Sequence, residues 1–195
     1  MKRKKKASGK YKLLLLFSVL ILLVLLSIYS GQYMLKRLYP LGYAEYVEKY
    51  AYEYSLDKSL VYSVIKAESS FDPNAVSPRN AKGLMQIMDS TGEWAAEKME
   101  IADFNSEMLL EPETNIRIGC WYIARLLKQY NQDTELALAA YNAGSGNVSK
   151  WLQDESVSSD GKTLDKIPFE ETRNYIDRIE KYNDMYKKLY ENLNS

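Results

Sequence analysis

Asp57-Lys-Ser-Leu-Val-Tyr-Ser-Val-Ile-Lys-Ala-Glu68 is the stretch that decides the fold. Its Leu60, Val61, Val64 and Ile65 recur at the three- and four-residue steps of an amphipathic helix, and Glu68 continues that series instead of joining Lys58 and Lys66 on the solvent face. The segment predicts a helix capped at Asp57, with one apolar face and a carboxylate at its end aimed at apolar surroundings. A desolvated carboxyl group holds its proton more tightly, because burial penalises the charged form, and a proton held near neutral pH is what a general acid requires. Register alone leaves two readings open: Glu68 as a chemical group, or a glutamate paired with an arginine or capping a neighbouring helix.

The run Ser69-Ser-Phe-Asp-Pro-Asn-Ala-Val-Ser77-Pro-Arg-Asn-Ala-Lys-Gly83-Leu-Met-Gln86 is dense in turn formers, so the helix ends there and Glu68 lies at an element end. Ala140-Tyr141-Asn142-Ala143-Gly144-Ser-Gly146 adds small residues, an aromatic ring and an amide in another helix-ending stretch. These types suit a sugar-binding groove: glycine lets backbone approach a ligand, amides bond to N-acetyl groups, and tyrosine offers a face and a hydroxyl.

Elsewhere the periodicity is helical. Residues 42–54 read as a first helix, and Ser90-Thr-Gly-Glu93 reads as a capping box opening a short helix to Met99. Pro112 starts a long helix whose Ile116, Gly119, Cys120, Ile123, Leu127 and Tyr130 form one stripe, the expected central scaffold. Residues 134–143 and 147–153 give two shorter helices, and 154–166 is a polar, Ser- and Gly-containing connection expected to be mobile. A last helix runs from Glu170 to about Tyr190, with Tyr175, Ile179, Tyr182, Tyr186 and Leu189 on its packed face. No strand pattern or internal repeat is visible, and the expected class is all-α.

The N-terminus is of another character. Residues 1–12 hold seven basic and no acidic residues, and 13–30 is a charge-free, mostly apolar stretch. An eighteen-residue helix rises about 27 Å, close to the ~30 Å hydrocarbon core of a bilayer. The basic cluster predicts the N-terminus in the cytoplasm and everything after residue 30 outside. A cleaved signal peptide shares the charged head and apolar core, but the run is long and Ile28 and Tyr29 interrupt the small-residue pattern around Ser27, Ser30 and Gly31. The reading is therefore a transmembrane anchor at 13–30, a stalk at 31–41 and a single domain over 42–195.

The formal charge of zero averages two unlike parts. Without residues 1–12, 19 basic residues face 26 acidic ones, a balance of about −7, so nucleic acid is a poor partner. The chain has no histidine, which removes Ser-His-Asp triads, His-Glu-x-x-His zinc sites and histidine proton relays. Cys120 is the sole cysteine, lies on the apolar stripe, and reads as core.

Glu68-Ser69, Gly83-Leu84-Met85-Gln86, Ala140-Tyr141-Asn142-Ala143-Gly144 and Ile167-Pro168-Phe169-Glu170-Glu171-Thr172-Arg173-Asn174-Tyr175 resemble, in order, the signature blocks of the lytic transglycosylase catalytic domain, the SLT-type, goose-lysozyme-like family. The resemblance covers roughly 42–190 and implies a lysozyme-like helical domain behind the N-terminal membrane helix. It implies cleavage of the β-1,4 bond between N-acetylmuramic acid and N-acetylglucosamine in peptidoglycan. Glu68 would be acid and then base as the muramic acid C6 hydroxyl attacks C1, forming a 1,6-anhydro end. In the same family pattern Ser77 is a hydroxyl donor near the N-acetyl group. Gln86 and the backbone around Met85 line the groove, Tyr141 and Asn142 bind sugar or hold Glu68, and Tyr175 reaches the Glu68 carboxyl.

Glu171 either lines the groove or pairs with Arg173, and Ser69 shapes the turn. Asn80 stands where the family often has glycine, at a position where asparagine tolerates a left-handed backbone. No metal or organic cofactor is implied. The expected partners are glycan strands and the membrane, with envelope or secretion machinery the class of assembly such an enzyme would meet, and a monomeric catalytic domain. A water-using muramidase would need a second carboxylate, with Asp72 and Asp89 nearest in sequence. A glycan-binding scaffold without activity is the third reading.

Overall fold

The computed structural model describes residues 5–190 and 193. Residues 1–4, within the basic segment expected at 1–12, and 191, 192, 194 and 195, at the end of the expected domain, lie outside the described residues. The chain divides into two units, one ending at Pro40 and one beginning at Leu41.

The first unit is one helix, α1 (Lys5–Leu38). Its 28-residue stretch Tyr11–Leu38, which contains an eighteen-residue window of mean hydropathy 2.8, is long and apolar enough to cross a membrane. The helix continues without a break through 31–38, so the residues expected as a stalk extend the same rod. Nothing in that stretch stops it, since Gly31 is a lone glycine in a run of good helix formers.

The second unit is built from α2 (Ala44–Glu53), α3 (Lys58–Ser69), α4 (Asp89–Lys98), α5 (Pro112–Gln129), α6 (Thr134–Ala143), α7 (Ser145–Leu152) and α8 (Glu170–Leu189). Helix α5 begins with Pro112, whose missing N–H costs nothing in a first turn. It buries Ile116, Gly119, Cys120, Ile123 and Leu127, the expected stripe, in the middle of the domain. Burial pushes the Cys120 thiol pKa well above its ordinary value, so the thiol stays protonated as a core cysteine does. Helix α2 is tied to α5 by Lys49 and Tyr50, which both donate to Glu113 Oε1, at 2.7 and 2.8 Å. Helix α6 is apolar nearly all round, and α5, α7 and α8 pack against it. The most extensive helix pairing is α3 along α8, where Tyr62 and Tyr186 stack at 5.4 Å.

Four details differ from the sequence reading. A two-stranded antiparallel hairpin, β1 (Ala81–Lys82) and β2 (Ile87–Met88), breaks the all-helical pattern, and Gly83-Leu84-Met85-Gln86 is its turn. The capping box at Ser90 does not form; α4 starts one residue earlier, at Asp89, because Asp89 accepts from Lys82 and Asn80. Asp57 does hold the N-cap position of α3, yet its carboxylate pairs with Lys187 at 3.7 Å instead of capping. The 154–166 connection is a set of nested turns: Asp160 accepts from Lys162 N, Thr163 N and Thr163 Oγ1, while Val157 and Ser158 are buried.

Candidate active site

Helix α3 stops because Ser70 and Phe71 both take positive φ, 52° and 70°, turning the chain away one residue after Ser69. Ser69 Oγ then lies 2.9 Å from Leu84 O and 3.2 Å from Ile65 O, and accepts the Phe71 N–H at 3.1 Å. The serine therefore shapes the turn, as expected, and also fastens the end of α3 to the hairpin turn.

That turn rests on Asn115 of α5. The buried Asn115 amide donates to Lys82 O at 2.9 Å and Leu109 O at 2.7 Å, and its Oδ1 accepts the Met85 N–H at 2.7 Å. Gly83, at φ 73°, has no room for a side chain, since a Cβ there would overlap Leu109 O and the Asn115 amide. Gln86 donates from Nε2 to Ala75 O at 3.0 Å and Gly83 O at 2.9 Å, closing the loop before it. Sequence reasoning did not single out Asn115, although a polar residue at core register was the same signal that nominated Glu68.

Four side chains from α6 and α8 complete the site. Tyr141 donates its hydroxyl to Met85 O at 2.7 Å, Thr172 donates to Asn142 Oδ1 at 2.8 Å, and Tyr175 donates to Glu68 Oε1 at 2.6 Å. Glu68 is closely surrounded by protein but keeps one opening to a groove. Burial pushes its carboxyl up from 4.5 to about 7, against the Tyr175 hydrogen bond and the positive charge of Arg178, which both favour the ionised form. Burial and the neighbouring Glu68 charge push the Tyr141 and Tyr175 hydroxyls far above their ordinary values, so both stay neutral donors. No lysine or arginine forms an ion pair with Glu68 among the described residues.

The groove, about 390 Å³, is lined by Glu68, Ser77, Arg79, Gln86, Tyr141, Asn142 and Glu171, among others. A second lobe of about 280 Å³ shares Arg79, Gln86, Tyr141 and Asn142 and continues to Thr91 and Tyr122. Five of the expected binding residues, Ser77, Gln86, Tyr141, Asn142 and Glu171, thus surround Glu68, and Tyr175 holds the glutamate from α8. Of Met85, expected to offer its backbone to the groove, the carbonyl accepts the hydroxyl of groove-lining Tyr141 and the side chain is fully buried against Gly119. Glu171 and Arg173 form no pair; Arg173 donates to Ile167 O at 3.3 Å. Asp72 caps its own turn through Asn74 N at 2.9 Å, and Asp89 is held by Lys82, so neither lines the groove. Asn80 has φ 64°, the left-handed backbone that the departure from glycine demanded. Arg79, Thr91 and Tyr122 went unnoticed in the sequence because only the folded loop brings them together.

The transglycosylase SLT domain model matches residues 45–163. The soluble lytic murein transglycosylase of Salmonella typhimurium is 35% identical over 155 residues, covering 78% of this chain and 24% of that protein. The membrane-bound lytic murein transglycosylase C of Haemophilus ducreyi is 29% identical over 165 residues, covering 74% of this chain and 45% of that one. The crystal structure of the 70 kDa soluble lytic transglycosylase of Escherichia coli superposes with a TM-score of 0.70 at 30% identity, covering 79% of this chain and 25% of that one. An inactive glutamate-to-glutamine mutant of the Pseudomonas aeruginosa lytic transglycosylase Slt superposes with a TM-score of 0.68 at 32% identity, covering 77% and 24%. The chain spans about a quarter of the length of the soluble relatives it matches. The ordered motif blocks, the helical frame and these similarities agree: the chain belongs to the transglycosylase SLT domain family.

Proposed function

We propose that this chain is a membrane-associated peptidoglycan lytic transglycosylase in which Glu68 serves first as acid and then as base. The observation that carries the reading is the enclosed Glu68 carboxyl, with a pKa raised to about 7 and a 2.6 Å hydrogen bond from Tyr175, opening on a groove lined by amide and hydroxyl groups. A group that titrates near neutrality both gives and recovers a proton without a large energetic mismatch. Protonated Glu68 donates to the glycosidic oxygen between N-acetylmuramic acid and N-acetylglucosamine. The substrate's own N-acetyl carbonyl supports C1, and the Glu68 carboxylate then takes the proton of the C6 hydroxyl as that oxygen closes on C1. Ser77 Oγ accepts the Ala81 N–H at 3.0 Å, which leaves its own proton free to steady the acetamido oxygen. The inactivating glutamate-to-glutamine change in the Pseudomonas aeruginosa relative fits such a single-carboxylate chemistry.

Topology extends the reading: α1 anchors the chain through 13–30, with the N-terminus in the cytoplasm and the catalytic domain, 42–195, as a monomer on the outer side, where glycan strands and envelope or secretion machinery are met. One observation favours a second reading. Glu171 lines the same groove as Glu68, and a second carboxylate is what a water-using muramidase needs. Mass spectrometry of a peptidoglycan digest decides between them, because an anhydro end is lighter than a reducing end by one water. Reducing ends alone, with activity lost in Glu171→Gln, would promote the muramidase; no cleavage by the full chain would leave a glycan-binding scaffold.

A further inference from the structure

We propose that Arg79 recognises a carboxylate carried on the muramic acid side branch, the lactyl arm or the stem peptide attached to it, and so selects charged glycan strands; this rests on the transglycosylase reading above. Electrostatics poses the problem that Arg79 answers. Nine of the 26 basic residues precede Leu41, which leaves 17 against 26 acidic residues in the second unit, a balance of −9. A polymer bearing carboxylates is repelled by such a surface unless a cation meets it in the groove. Among the lining residues of both lobes, Arg79 is the single cation, and it stands in both, at their junction. Glu68 and Glu171 are the acidic members of the first lobe, so without Arg79 an anion entering there would face negative charge alone.

The loop around Arg79 is built to present it. Ser77 N donates to Ala81 O at 2.9 Å, Ala81 N donates to Ser77 Oγ at 3.0 Å, and Asn80 N donates to Ser77 O at 2.9 Å, closing residues 77–81 into a tight turn. Asn80 adds a tether that glycine could not supply, donating from Nδ2 to Asp89 Oδ2 at 2.7 Å. The neighbouring cation, Lys82, is buried and held by Asp89 at 2.9 Å and Glu107 at 3.2 Å. Arg79 instead is exposed and has no hydrogen-bond or ion-pair partner among the described residues. A guanidinium offers parallel N–H donors that match a carboxylate's two oxygens, which a lysine cannot reproduce.

The test uses the full chain in detergent with Glu68→Gln to stop turnover, alone and combined with Arg79→Gln or Arg79→Lys. Titration calorimetry then measures Kd for peptide-bearing glycan strands, for the same strands stripped by an amidase so that the lactyl carboxylate is bare, and for uncharged chitotetraose. Arg79→Gln is expected to raise Kd roughly tenfold on at least one carboxylate-bearing ligand, with Arg79→Lys intermediate and the effect reduced in high salt, while chitotetraose changes by less than about twofold. An effect confined to peptide-bearing strands assigns the stem-peptide carboxylate, and one seen on stripped strands assigns the lactyl arm. Equal loss on chitotetraose, or no loss on any ligand, overturns the proposal while leaving the transglycosylase reading intact. Failure of the parent chain to bind or cleave any strand overturns both.

Discussion

Replacing Glu68 by glutamine should remove activity and, above neutral pH, make the protein more stable. Folding raises the Glu68 pKa from 4.5 to about 7 by burial, so the folded state binds the proton more tightly than the unfolded chain does. Stability from this group is therefore complete below about pH 4.5 and declines as pH rises through about 7, where the folded protein must hold a charge that water would hold more cheaply. At about 1.4 kcal/mol for each tenfold change in proton affinity, that rise amounts to roughly 3 kcal/mol. The opening to the groove lets solvent screen the charge, and about 1–2 kcal/mol remains. Glutamine keeps the shape and an acceptor for Tyr175 but carries no charge, so at pH 8 the variant should gain that amount, a rise of about 4 °C in Tm for a domain of this size. Glycan cleavage should fall by ~10²–10⁴. Thermal melts of the full chain in mild detergent between pH 4 and 8, with wall digestion alongside, check both limbs. Parallel stability curves for the two proteins across that range would refute the burial argument, and undiminished digestion would remove Glu68 from the chemistry.

Tyr175→Phe deletes the 2.6 Å bond that favours the ionised carboxylate, so the Glu68 pKa should climb further and the alkaline limb of the pH–rate profile move to higher pH; an unmoved limb would show that the bond has no influence. Asn115→Ala leaves Met85 N, Lys82 O and Leu109 O without their buried partner and should cost about 3–5 kcal/mol, read from denaturant unfolding; a cost under about 1 kcal/mol would mean that the hairpin turn stands without it. Asn80→Ala, at φ 64° and without the Asp89 tether, should lose about 1–2 kcal/mol, and Asn80→Gly less because glycine accepts the backbone; the reverse order would contradict the strain argument. Protease added to intact spheroplasts should degrade the domain; full protection, or a soluble form beginning near residue 31, would rule out the anchored outward topology.

The helices were legible because their apolar periods are strict: the α5 stripe and the α3 face, with Glu68 at its end, are buried as the spacing requires. The hairpin was not, since two-residue strands are too short for any alternation to show. Caps were the weakest inference: Asp57 holds the N-cap position of α3 but pairs with Lys187 of α8, and α4 begins at Asp89, paired with Lys82 of β1, instead of at Ser90. The Glu68–Tyr175 contact joins residues 107 apart and became an expectation only through the family resemblance. Asn115 was readable, as a polar side chain at core register one position before Ile116, yet a single amide among apolar neighbours carries no hint of which three backbone groups it will hold.

The pairing of α3 with α8 also sets the order in which the molecule acquires its reactivity. Glu68 is synthesised 107 residues before Tyr175, so the hydrogen bond between them forms only once α8 has been made and has docked along α3. The environment that sets the acidity of Glu68 is thus a property of the folded domain and not of α3 alone.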